Sequence, residues 1–165
     1  MGNDTVFKAI EDWVIAQLLA PVSKCTVQLE ADVKQRLNGL PAARLRKLVS
    51  RALDKFLRAS RNERNRHVLE YLIESVDDIN QCPSIGVESL LQRVIAVPSK
   101  PDFGLAKALI RAGHSLSVAP PGGISPLMAL ELLYGRPWYD KVAMLFKSKG
   151  PSLHVRSNPT QRITL

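Results

Sequence analysis

Gly86-Val87-Glu88-Ser89-Leu90-Leu91 and Gly123-Ile124-Ser125-Pro126-Leu127-Met128 open two stretches that repeat each other 37 residues apart. With 86–118 laid over 123–155, seven of 33 columns are identical: Gly86/Gly123, Leu90/Leu127, Ala106/Ala143, Gly113/Gly150, Ser115/Ser152, Leu116/Leu153 and Val118/Val155. Average composition gives roughly two by chance. Val87/Ile124, Leu91/Met128, Leu105/Val142 and Leu109/Phe146 keep apolar character. A fixed period of this size predicts a solenoid, in which each unit buries its apolar face only against its neighbours.

The marker residues have mechanical jobs. Ser125 is suited to cap a helix, its hydroxyl accepting an orphan backbone N–H, and Pro126 then fills the first helical position. Leu127, Leu130 and Leu133 follow at helical spacing, and Gly135 with Pro137 stops the helix. A second helix over 139–149 carries Val142, Leu145 and Phe146 on one stripe, and Gly150 is placed to close it in the left-handed conformation. Pro120-Pro121-Gly122-Gly123 and Cys82-Pro83-Ser84-Ile85-Gly86 read as turns joining successive units. Each unit is therefore expected to be helix, turn, helix and a hairpin-like finger.

Another 37 residues upstream, 67–80 lies over 104–117 and 141–154. This wording resembles the ankyrin repeat. Gly123-Ile124-Ser125-Pro126-Leu127-Met128-Ala129 is similar to the family's G-x-T-P-L-x-x-A opening, and Lys149-Gly150-Pro151-Ser152-Leu153-His154 to its x-G-A-D-V-N close. Val76-Asp77-Asp78-Ile79-Asn80 fits that close with Val in place of Gly, while Glu88-Ser89-Leu90-Leu91 departs from the opening. The period is longer than the family's 33 or so, and the extra residues fall between the two helices, near 97–103 and 134–140. The resemblance implies an all-α, short ankyrin-like solenoid over roughly 50–156. It also implies a binding groove lined by fingers and first helices, at Gln81, Pro83, Ser84, His114, Ser115, Ser117, Ala119 and Pro120, with Glu88, Gln92, Arg93 and Glu131 on the helices.

Upstream, Asn3 or Asp4 is expected to cap a helix over 5–20, with Val6, Ile10, Trp13, Val14, Gln17 and Leu18 as its stripe. A second helix is expected over 27–37. Pro41 starts a third, with Leu45, Leu48, Val49, Ala52, Leu53, Phe56 and Leu57 inward. The expected organisation is a helical cap over 1–48, three units over 49–85, 86–122 and 123–156, and a tail over 157–165. That tail either folds back as a small cap, stays disordered, or continues a longer array.

The formal charge of +8 favours acidic protein surfaces or nucleic acid without choosing between them. It is concentrated: Lys34, Arg36, Arg44, Arg46, Lys47, Arg51, Lys55, Arg58, Arg61, Arg64 and Arg66 are opposed within 34–66 only by Asp54 and Glu63. The first 33 residues hold the acids Asp4, Glu11, Asp12, Glu30 and Asp32 against Lys8 and Lys24, an asymmetry that predicts a basic face. Either Arg44, Arg46, Lys47, Arg51, Lys55 and Arg58 only solvate a helix, or they bind an acidic segment or a phosphate backbone. No run of 18 apolar residues predicts a membrane span. Asp4, Glu11 and Asp12 argue against a signal peptide, and Cys25 and Cys82 form no disulfide framework, so an intracellular setting, cytoplasmic or nuclear, is expected.

His67, His114 and His154 have no zinc-spaced companions and read as surface histidines. No nucleophile elbow, Walker or dinucleotide fingerprint is present. No catalysis, cofactor or metal is therefore expected. Trp138 and Tyr139, with Arg136 in the same lengthened loop and Phe103 in the preceding copy, either shield the core or anchor a partner, because such residues dominate interface hot spots. The expected function is a non-catalytic protein-interaction module, an adaptor, scaffold or inhibitor. The alternative is phosphate-backbone binding through 34–66, with self-association as a further expectation for a truncated array.

Overall fold

The structure, a computed structural model, describes residues 2–20, 27–59, 65–95, 102–133 and 135. Among them the fold is all-α. The helices are α1 (Gly2–Leu18), α2 (Val27–Leu37), α3 (Ala42–Arg58), α4 (Arg66–Ser75), α5 (Leu90–Ile95) and α6 (Phe103–Arg111), with a 3₁₀ turn at Ile79–Gln81. Residues 126–133 are again helical, and the one extended pairing described is an isolated bridge between Ile85 and Glu88.

α3 shows why these sequences are helices. Leu45, Leu48, Val49, Ala52, Leu53 and Phe56 recur at helical spacing and are all buried, while Lys47, Arg51 and Arg58 stay exposed. Pro41 precedes the helix with extended dihedrals, where its missing N–H is harmless. This stripe is continuous, so α3 runs unbroken past residue 48, where a cap was expected to give way to the first unit.

α1 starts earlier than its sequence suggests. It begins at Gly2, so Asn3 and Asp4 lie in its first turn rather than capping it. Only its second half is buried, through Val14, Ile15 and Leu18; Val6, expected on the stripe, is exposed.

The helices pack in pairs. α3 lies against α4, and α5 against α6; α3 also touches α5, and α4 touches α6. The first helix of one pair thus lies on the first helix of the next. α1 and α2 also pack together, and against the next pair α1 touches both α3 and α4 while α2 touches α4. One apolar core runs through all of them, from Val14 to Leu130.

Polar caps set the element ends. Asn65 accepts from the N–H of His67 to start α4, and Asp102 accepts from Leu105 to start α6. Ser89 and Gln92 form a reciprocal capping box on α5, Gln92 N to Ser89 Oγ at 3.2 Å and Ser89 N to Gln92 Oε1 at 2.7 Å. Ser125 Oγ accepts from Met128 N at 3.2 Å, the cap its sequence predicts. α6 closes in a Schellman motif: Gly113, at φ 95°, donates to Ile110 O, and His114 donates to Leu109 O, both at 3.0 Å. Val76 occupies the equivalent sequence column after α4, and there the chain turns extended instead.

Candidate functional site

Two loops join successive pairs, over 76–89 and 112–125, and they are built against one another. Asn80 spans them: its amide donates to Gly113 O at 2.9 Å and its carbonyl oxygen accepts from Ser115 N at 2.7 Å. α3 and α5 each also reach into the loop beyond their own pair. Ser50 on α3 donates to Pro83 O, and Gln92 on α5 donates to Ile124 O, both at 2.6 Å.

In the first loop Ile85 and Glu88 exchange backbone hydrogen bonds of 2.9 and 3.2 Å around Gly86 and Val87. Gly86 has φ 65° and Val87 has negative φ, the signature of a type II′ hairpin turn. In the second, Gly123 N donates to Pro120 O at 2.9 Å, with Pro121 leading and Gly122 at φ 73°, as a type II turn requires. The matching left-handed glycines are therefore Gly86 and Gly122, and the matching caps Ser89 and Ser125, each 36 apart. The identical column Gly86/Gly123 does not mark equivalent backbone. Gly123 serves another need: a Cβ there would lie 2.2 Å from the carbonyl oxygen of Val87.

These loops carry no charged side chain between Asp78 and Glu88, nor, apart from the buried His114, between Arg111 and Glu131. Val87, Val118 and Ile124 are exposed along them, Val87 to 59%, and Met128 is exposed in the first turn of the helix that follows. Their polar groups are largely satisfied internally; Ser115 Oγ alone accepts from Ser117 N and Val118 N at 3.3 and 3.2 Å.

His114 was expected at an exposed tip. It is buried, 8% exposed, because the Schellman turn directs the residue after its glycine back onto the helix end. Its Nδ1 donates to Ser115 O at 2.8 Å, and burial pushes its pKa below the ordinary value. Ser115 is half-buried and Ser117 exposed. Phe103 begins α6 half-buried against the core. Arg136, Trp138 and Tyr139 lie outside the described residues, as do His154 and Gly150.

The basic face does not stand free. Arg44 holds Asp4 at 2.5 Å and Glu11 at 3.0 Å, its guanidinium stacked over Phe7. Arg46 forks onto Asp77, Arg51 meets Asp12 at 3.4 Å, and Arg58 meets Asp54 at 3.0 Å. Arg93 of α5 reaches Asp54 and Glu88, each at 3.3 Å. Lys34 lies over the ring of Tyr71 and Arg36 over Trp13. The ion pair with Arg46 holds Asp77 below the usual carboxylate range, and Glu11 with Asp4 raises Arg44. Of the six expected patch residues, Lys47 and Lys55 are those with no carboxylate in ion-pair reach among the described residues. The acids that oppose Arg44, Arg46 and Arg51 come from 31 to 40 positions away in sequence, which is why a linear charge count foresaw a bare basic face.

Sequence reasoning missed Asn65 and Asp102, the helix caps 37 apart. Asp102 also takes both guanidinium nitrogens of Arg66, at 2.9 and 2.5 Å. The repeat register places the two caps in one column, and that was the available signal.

Among the described residues, no group of three or more His, Cys, Asp or Glu is placed to hold a metal ion, and no helix is long and apolar enough to cross a membrane. Burial pushes the Cys82 thiol up to about 12, leaving it a poor nucleophile near neutrality. No family model, curated protein or solved structure matches the chain.

Proposed function

We propose that this chain is a non-catalytic protein-interaction module, a short ankyrin-like stack of helix pairs that presents its loop edge to a protein partner inside the cell. The observation that carries this reading is the exposed, charge-free edge at Val87, Val118, Ile124 and Met128, set on loops cross-braced by Asn80. Isolated exposed apolar residues are ordinary, but a charge-free set on two loops tied to each other has the composition of an interaction surface. The stacking reading is supported by α5 on α3 and α6 on α4, and by helix caps at Asn65 and Asp102 in one repeat column. Fold alone does not fix role, so the site carries the weight.

Phosphate-backbone binding through 34–66 has less support, because Arg44, Arg46, Arg51 and Arg58 already hold carboxylates. The test is affinity purification of the full chain beside its Val87→Asp variant, with binding to random duplex DNA measured across salt. Specific proteins retained by wild type and lost by the variant support the module. Duplex binding with a steep salt slope, and no protein lost by the variant, would replace it with the nucleic-acid reading.

A further inference from the structure

Resting on that reading, we infer that the loop edge takes an uncharged, apolar peptide segment of its partner rather than the acidic segment that the chain's overall charge would attract. Residues 112–130 contain no Asp, Glu, Lys or Arg, where the chain's average of 23% would place about four. Residues 79–87 contain none either. The two loops are joined here: Val87 lies against the turn at Gly122 and Gly123, and Val87 and Pro120 together close the space where a side chain on Gly123 would stand.

Three physical consequences define the occupant. A charged group docked here would lose its water with no opposite charge to meet it, and such burial is strongly unfavourable. Interface cores are depleted of charge for the same reason. Glu88, next to Val87 in the chain, is already held by Arg93. Finally, the loops are pre-ordered by the Schellman turn, the Ser115 hydroxyl and the Asn80 bridge. A partner therefore meets a finished apolar surface, and little binding energy is spent in ordering it.

The experiment is selection of a phage-displayed random dodecamer library on the immobilised full chain, with enriched peptides re-measured by fluorescence polarisation. Peptides poorer in charge than the library are expected. Their affinity should fall about tenfold or more on Val87→Lys, an exposed position whose change leaves the core intact, and about as much on Val118→Lys if the first variant folds poorly. It should vary less than about threefold between roughly 50 and 500 mM salt. Acidic peptides with steep salt loss and indifference to Val87→Lys would overturn the inference while leaving a protein-binding module standing. Enrichment of no peptide would overturn both.

Discussion

Arg66 and Asp102 face each other as two forks across the α4–α6 contact, and Gly104 is what leaves them room. A Cβ on Gly104 would lie 2.6 Å from Arg66 Nη1, so the guanidinium occupies space that any other residue would fill. Alanine is the better helix former by about 0.5–1 kcal/mol. Gly104→Ala should therefore be neutral or destabilising in the wild-type chain and stabilising in an Arg66→Ala background. Urea denaturation of the four members of this cycle checks the change of sign; the same effect in both backgrounds would break the link.

The two glycines of one repeat column should resist asparagine for unlike reasons. Gly86 has open space around it but holds the first central position of a type II′ turn, a backbone setting that calls for glycine, so Gly86→Asn should cost about 1–3 kcal/mol through backbone strain alone. Gly123 needs no unusual φ but faces the Val87 carbonyl, a backbone group that cannot swing aside. Gly123→Asn should cost about 1–3 kcal/mol, the usual range when a packed site is overfilled. Denaturation midpoints at unchanged m-value would measure both.

Asn80 ties two loops with two hydrogen bonds, so Asn80→Ala should lose about 1 kcal/mol or slightly more. Asn80→Asp keeps the acceptor for Ser115 N but sets a carboxylate against Gly113 O, and should recover little. Hydrogen exchange at Ser115 N is the local readout: faster exchange in both variants, well ahead of global unfolding, is the expected result.

Buried His114 makes stability depend on pH. Its folded pKa lies below the reference value of 6.5, so the unfolded chain takes up the proton first. The contribution of neutral His114 is complete above that reference value and is lost as pH falls through the folded pKa. The urea midpoint should therefore drop on acidification through the mildly acidic range, before most carboxylates titrate, and His114→Gln should flatten that segment of the curve.

The legible and illegible parts of this fold divide by the range of the interaction. Stripes such as the one from Leu45 to Phe56 are local, and they gave α3 its buried face; the span of α2 was equally readable. The capping role of Ser125 needs only its own four residues. What escaped depended on distant partners. Asp4 and Glu11 neutralise Arg44 only because α1 packs on α3. The burial of His114 follows from a closing turn whose sequence sign is its neighbour, Gly113. The identity pattern pairs Gly86 with Gly123, 37 apart, while the positive-φ glycines are Gly86 and Gly122, 36 apart; two glycines stand side by side after Pro121 for unlike reasons, and letter identity cannot separate them.

Asp12 meets Arg51 and Asp54 meets Arg93, each across 39 positions. Along α1, α3 and α5, each contact thus sets an acid of the earlier helix against a base of the later one. Such a series has a sense of direction: a segment inserted backwards, or moved to another place in the order, would set like signs face to face. Rearrangement by copying whole segments head to tail preserves the match, so lengthening by duplication is the change this architecture most readily absorbs.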